Sequence, residues 1–281
     1  MNIFFGILEQ ALTLTPLVLG MYLSYRILKI TDLTVDGTYV LGAAVFARTI
    51  HLGLLPALAC SILAGALVGN IVAFMQRNNV VNDLIAGVLA SFMLYSVNLQ
   101  IMGRPNLSLL DAPTILSSLD LQDWVLPLGL VSILVATCLF ILLSSKFGLT
   151  LRAFGYNQKL LTVLGKSPEN YRMFGLALSN SLAALSGALA SQVNGFADIN
   201  MGFGLALVGI GAVVIGRQLI IKNQERFCGL QELSACFLGV LLYFVALNLL
   251  LRFGINPVNL KLVLGLVLFV ALSKIYKRGK S

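Results

Sequence analysis

Apolar residues in this chain form long runs separated by short polar stretches. The two-residue alternation of a half-buried sheet is missing. The runs cover roughly 4–28, 37–51, 53–75, 83–102, 124–144, 171–193, 203–221, 230–250 and 258–274. Several reach the roughly 20 residues that carry a helix across a hydrocarbon core, and several fall short of it. The pattern predicts an all-α polytopic membrane protein with about eight or nine transmembrane segments. It also predicts a single transmembrane domain over 1–281. The first run lacks a basic leader and a small-residue cleavage site, so it is expected to remain a helix.

The second and seventh runs break the pattern. Each follows a long clean run and opens on a polar, turn-prone stretch. One reads Thr31-Asp32-Leu33-Thr34-Val35-Asp36-Gly37-Thr38, the other Phe196-Ala197-Asp198-Ile199-Asn200-Met201-Gly202-Phe203-Gly204. Both lead into glycine- and alanine-rich apolar sequence. Short, glycine-interrupted segments in matching places of two halves have the character of an inverted repeat and point to a transport pathway. Irregular backbone at membrane depth survives only where protein or a water-filled cavity covers it. Plain interfacial loops are the bland alternative.

The charges lie between the runs. With the 145–170 loop placed in the cytoplasm and the sides alternated, 15 of the 19 basic residues fall inside. Arg48, Arg104, Arg252 and Lys261 are left outside. Basic residues accumulate on the cytoplasmic side, so the N-terminus is expected outside and the C-terminus in the cytoplasm. The outer loop 103–123 carries Asp111, Asp120 and Asp123. Its apolar stretches 107–110 and 116–121 read as short interfacial helices, and the loop as a docking rim for an extracellular delivery protein or a solvated cap.

Composition agrees. The chain is 58% hydrophobic and 11% charged, whereas soluble domains carry roughly a quarter charged residues. A net charge of +8 invites a nucleic-acid reading. The placement of those charges in short loops argues instead for orientation signals beside membrane lipid, with no nucleic-acid partner. The four cysteines sit in or beside apolar runs with no metal-ligand spacing, so neither a disulfide framework nor a metal site is expected.

Stripes of small residues, Ser179/Ala183/Gly187/Ser191 and Gly65/Gly69, are packing faces where helix backbones approach closely. Asn98, Asn180, Gln192 and Asn194 either bond a neighbouring helix or line a solute path. Together with Asp36 and Thr38 they are the candidate substrate-pathway residues. Apart from Glu9, no run clearly carries a carboxylate, histidine or lysine at mid-depth. This counts against a proton- or sodium-coupled carrier. One histidine, His51, and carboxylates at run edges assemble no catalytic constellation. Leu164-Gly165-Lys166-Ser167 imitates the end of a phosphate-binding loop, but Leu160 stands where the motif needs glycine. No enzyme activity is expected, and any energy source is on another polypeptide.

The loop at 146–170 carries that expectation further. From Leu151 to Leu164 apolar and polar residues mix, Gly165 reads as a helix stop, and Ser167-Pro168-Glu169 as the start of the next helix. A short amphipathic helix across the cytoplasmic face either lies on lipid or fits a cleft on a motor protein. The candidate coupling residues are Arg152, Ala153, Phe154, Gly155, Asn157, Leu160, Leu161 and Gly165.

The stretches LTVDGTYVLGAAV (33–45), NDLIAGVLASFMLYSVNLQIMGRPN (82–106), LRAFGYNQ (151–158), GLALSNSLAALSGALASQVNGFADINMGFG (175–204) and LRFGINPVNLKLVLGLVL (251–268) carry a resemblance. The chain resembles the permease subunit of a bacterial ABC importer of the branched-chain amino acid permease superfamily. More closely, it resembles the subgroup of tryptophan/tyrosine-type or uncharacterised ABC permeases. The resemblance implies an inner-membrane permease homodimer, two cytoplasmic ABC ATPase subunits touching 151–165, and an extracytoplasmic substrate-binding protein. The resemblance also implies that this chain binds no cofactor itself, with ATP and Mg held by the partner subunit. An amino acid, aromatic first, is the implied solute, with nucleosides or sugars as alternatives. One departure is Leu160-Leu161, where many relatives have small residues before the loop glycine.

Overall fold

A computed structural model describes residues 3–77, 80–110, 112–118, 123–220, 229–254 and 265. The described elements, in chain order, begin with α1 (Ile3–Met21), a π-helical continuation (Tyr22–Leu28), α2 (Val35–Thr49), α3 (Leu54–Met75) and α4 (Asp83–Met102). Then come β1 (Asn106–Ser108), α5 (Ile115–Ser118), α6 (Val125–Ser144), α7 (Lys146–Tyr156), α8 (Gln158–Val163) and α9 (Pro168–Asn194). β2 (Phe196–Asp198), α10 (Leu205–Ile220) and α11 (Gly229–Arg252) complete the set. Among the described residues, six helices are long and apolar enough to cross a membrane: α1 with its π-helical end, α3, α4, α6, α9 and α11. The expected second and seventh segments are the shorter helices α2 and α10. The ninth segment, 258–274, falls outside the described residues except for Gly265.

α9 is the central column. It packs on α1, α2, α3 and the π-helical stretch, is buried along most of its length, and is the least apolar of the six long helices. A helix surrounded by protein does not need the hydropathy of one facing lipid. The stripes of small residues explain the fit. A Cβ on Gly42 would meet the Ala184 carbonyl, and one on Gly69 the Leu176 carbonyl. Only hydrogen at these positions allows such close backbone approach. Hydroxyls tie the same helices together: Ser179 Oγ donates to the Gly20 carbonyl at 2.8 Å and Ser61 Oγ to the Gly42 carbonyl at 3.0 Å.

Pro16 lies inside α1 and has no N–H to offer the Leu12 carbonyl. Ser132 Oγ of α6 supplies the missing donor at 3.2 Å. A freed carbonyl in a spanning helix is thus satisfied by a neighbour.

Two expectations are corrected. The 107–110 stretch is not a short helix. Residues 106–108 form a strand paired antiparallel with 196–198 (Leu107 opposite Ala197), so this stretch is bound to the entrance of the seventh segment. The 151–164 segment is not one coupling helix. It divides at Asn157, whose backbone is extended and whose side chain accepts from Lys159 N–H to cap α8. An asparagine competes with helical hydrogen bonding in this way and favours caps.

Candidate functional site

The two broken segments meet. Asp36, in the first turn of α2, accepts from Gly204 N–H (Oδ2, 2.9 Å) and Ala206 N–H (Oδ1, 2.6 Å). The N-terminal donors of α10 have no partner within their own helix, and a carboxylate there also complements the helix dipole. One short helix therefore caps the other, 168 to 170 residues away in sequence.

Behind this joint lies a buried polar cluster. Asp32, fully buried, accepts from Asn180 Nδ2 at 2.7 Å and from Thr34 N–H at 2.9 Å. Thr38 Oγ1 donates to Asn180 Oδ1 at 2.8 Å. Asn180 sits at the middle of α9. The expectation that only Glu9 among carboxylates lies deep is thereby corrected, and Glu232 of α11 is buried as well, paired with Arg217. Asp32 lies in a turn-prone stretch of the sequence, yet it is fully buried and held by Asn180 of α9. A carboxylate enclosed this way needs hydrogen bonds to both oxygens, and here amide and backbone donors provide them.

In front of the joint is a cavity of about 800 Å³ lined by residues of α2, α4, the 199–204 turn and α10. Asp36 and Asn98 both line it. Thr38 and Asn180 belong to the cluster behind. Gln192 is elsewhere, accepting from Ile115 N–H at 3.0 Å, and Asn194 is exposed at the end of α9. Two of the six expected pathway residues are thus in the cavity wall, two buttress it and two lie apart. Ser91, Phe92 and Tyr95 also line the cavity and were missed. Their signal was available: Ser91, Tyr95 and Asn98 follow the i, i+4, i+7 spacing of one helix face. α4 is bound to the break by Ser91 Oγ donating to the Leu33 carbonyl (2.8 Å) and Asn98 Nδ2 donating to the Gly37 carbonyl (3.0 Å).

α7, with several of the described basic residues around it, turns its Thr150, Leu151 and Phe154 inward. Gly155 lies against the Ile27 carbonyl of the π-helical stretch, where a Cβ would clash. That stretch ends at Lys29, whose left-handed backbone (φ 57) is uncommon for a residue with a side chain. Lys29 Nζ lies 4.1 Å from the centroid of the Tyr156 ring. Arg172 donates to the Gln76 carbonyl and lies 5.9 Å from the Phe154 ring. Leu161 is buried, whereas Leu160, Val163 and Leu164 are exposed. Gly165 (φ 70) closes α8 with bonds from Gly165 N–H to the Thr162 carbonyl and from Lys166 N–H to the Leu161 carbonyl. This is the paired pattern that favours a left-handed glycine after a helix. Of the expected coupling residues, Phe154, Gly155 and Leu161 hold the segment to the bundle, while Leu160 is presented outward with Val163 and Leu164.

The model of the family described as branched-chain amino acid transport system / permease component matches residues 3–272. Uncharacterized protein RP368 of Rickettsia prowazekii (strain Madrid E) is 62% identical over 275 residues, 98% of each chain. The tyrosine transport system permease protein of Clostridioides difficile (strain R20291) is 31% identical over 270 residues, covering 95% of this chain and 90% of that one. No solved structure matches. Short helices joined end to end at a cavity and a match over nearly the whole length lead to one assignment: this chain belongs to the branched-chain amino acid transport system permease family, as a multi-pass permease component of a transport system and not an enzyme.

Proposed function

We propose that this chain is the membrane subunit of an ATP-driven ABC importer. It moves an amino acid, aromatic first, into the cytoplasm by alternating access. The observation that carries the reading is the joint itself: Asp36 fastens α2 to the start of α10 at the wall of one cavity. Such a joint is a point where a small shift of either helix opens or closes a path.

A line of contacts links that joint to a surface for a motor. α7 bears on the π-helical stretch through Gly155 and Ile27. The stretch leads directly into Asp32, and Asp32 is held by Asn180 of α9. π-helical turns occur often at functional sites. A cytoplasmic ATPase subunit fits the exposed Leu160, Val163 and Leu164. Closure of two such subunits, hydrolysing ATP with Mg, would press α7 against the end of α1 and strain the α2–α10 joint. The chain works as a homodimer in the bacterial inner membrane, N-terminus outside, C-terminus cytoplasmic. An extracytoplasmic binding protein delivers solute to the β1–β2 side. The aromatic preference draws on the tyrosine permease relative and on Phe92, Tyr95 and Phe203 in the cavity wall. Nucleosides and sugars are the alternative solutes.

A second reading, a carrier driven by an ion gradient, draws on buried Asp32, since intramembrane carboxylates often serve proton or ion relays. Reconstitution separates the two. The permease, its co-purifying ATPase and its binding protein in liposomes are expected to accumulate radiolabelled tyrosine only with ATP inside the motor compartment. Accumulation driven by a proton or sodium gradient without ATP would establish the carrier instead.

A further inference from the structure

We infer that Arg172 is a positioning residue for the coupling of motor to pathway, and that Glu169 is the partner it takes when α8 is pushed. The inference rests on reading the chain as a motor-driven importer. Arg172 is buried near the start of α9. A buried guanidinium needs partners for its charge and its N–H groups. It donates to the Gln76 carbonyl at the end of α3, a carbonyl with no donor inside its own helix. Its Cζ also lies 5.9 Å from the centroid of the Phe154 ring on α7. Three elements therefore meet on one side chain. α3 and α9 are locked together by close backbone contact at Gly65 and Gly69, so that pair is a fixed base. α7 is seated on it at two places. One is Phe154 at Arg172; the other is Phe147, whose ring lies 5.3 Å from that of Tyr171 and 4.7 Å from that of Phe174.

The carboxylate beside Arg172 is within reach but not engaged. Glu169 Oε2 is 4.0 Å from Arg172 Nε, longer than a charge-assisted hydrogen bond of about 2.7–2.9 Å. Both atoms are buried with no hydrogen-bond partner among the described residues. So are Nε2 and Oε1 of Gln76, the residue whose carbonyl Arg172 holds. Protein interiors leave few polar atoms in that condition, and four at one junction point to a contact completed in another conformation. A movement of about 1 Å closes the pair. Glu169 is placed to make it. It lies in the first turn of α9, just beyond the Gly165 turn that closes α8. α8 carries the exposed Leu160 and Val163, with exposed Leu164 at its end. Pressure on that apolar surface tightens the first turn of α9, draws Glu169 onto Arg172 and shifts the guanidinium against Phe154. α7 then moves relative to the α3–α9 base. This route is separate from the contact of Gly155 with Ile27.

The test measures ATP hydrolysis and solute uptake together, in liposomes holding the permease, its co-purifying ATPase and its binding protein. Radiolabelled tyrosine, leucine, uridine and ribose are offered in turn, and the one that the wild type accumulates is used. Arg172→Met removes the charge and the donors. Glu169→Gln removes the second charge and keeps the shape. Each variant is expected to hydrolyse ATP yet to consume about fivefold or more ATP per solute, the low end of ordinary coupling between sites. The double variant R172M/E169Q is expected to be no worse than R172M, as for two residues that act as a pair. Uptake, hydrolysis and melting temperature falling together at an unchanged ratio would show a purely structural role. A double variant with the product of the two single effects would show that Glu169 is not the partner of Arg172. Either overturns the inference while ATP-driven uptake by the wild type stands. Should R172M fail to assemble, E169Q decides alone, since its side chain is partly exposed: an unchanged ratio there overturns the inference. If the wild type accumulates none of the four solutes with ATP, the importer reading falls and the inference with it.

Discussion

Asp32 and Asp36 are four positions apart and serve different ends. Asp36 caps a helix from outside it, and Asp32 anchors the break between α1 and α2 to α9. Removing a capping acceptor costs about 0.5–2 kcal/mol. Asp36→Ala is therefore expected to lower the unfolding temperature in detergent by a few degrees and to abolish uptake, while Asp36→Asn retains one acceptor and part of the stability. Differential scanning fluorimetry together with uptake reads both. Asn180→Leu leaves the Asp32 carboxylate without its amide donor. Leaving a buried acceptor without its hydrogen-bond donor costs about 1–3 kcal/mol, and more for a charged group. The single variant should therefore express poorly, and Asp32→Asn added to it should recover part of the loss. If the second substitution brings no recovery, the two side chains are not energetically coupled. Of these two residues, the run pattern pointed to Asp36 and passed over Asp32. Composition places both in one polar stretch, and only the packing of α9 separates a capping role from a buried one.

The coupling segment shows how far pattern reaches and where it stops. Gly165 as a stop and Pro168 as a start were legible because both act through local backbone geometry. The division at Asn157 was not, since asparagine is tolerated inside helices and caps equally well. Nor did the amphipathic count say which leucine faces in. Leu160 and Leu161 are adjacent, and a turn of about 100° per residue sends them to different sides. Leu161→Ala is expected to cost about 2–5 kcal/mol as a core truncation. Val163→Asp should leave stability within about 0.5 kcal/mol, as exposed substitutions do, while reducing the ATPase recovered on co-purification. The reverse pattern, with Leu161→Ala silent and Val163→Asp unfolding the protein, would mean that the segment packs the other way round. Gly155→Leu forces a side chain against the Ile27 carbonyl. It is expected to leave membrane insertion intact and to slow uptake severely, because α7 can no longer seat on the π-helical stretch.

Among the described residues, several basic side chains gather around α7. Arg26, Lys29, Arg152, Lys166 and Arg172 surround α7, and Arg217 pairs with Glu232 at 2.6 Å. Elsewhere, Arg48 is engaged structurally, with Nε and Nη2 donating to the Ile101 and Met102 carbonyls at 2.7 and 2.8 Å. A cation on the last carbonyls of α4 also complements its dipole, so this exception to the charge bias is explained by capping. The orientation has a direct test. In a background lacking native cysteines, a cysteine at Leu52 should react with a membrane-impermeant maleimide in intact cells. One at Val163 should react only after permeabilisation. Labelling in the opposite order would invert the topology.

The span-forming runs, the two polar breaks, the small-residue stripes and the basic loop were all readable along the chain. Each reflects an interaction with solvent, lipid or residues within a turn or two, and such interactions depend on local order alone. Which polar groups meet was not readable. Asp32 finds Asn180 across 148 residues, and Asp36 finds Gly204 across 168. Inside a bilayer every polar group seeks a partner with similar urgency, so composition says that partners exist without saying which. The choice was made by close helix contact at glycines such as Gly42 and Gly69, which sets the depth at which α2 and α3 lie along α9. That packing places one carboxylate behind the joint and the other at the cavity wall beside Asn98.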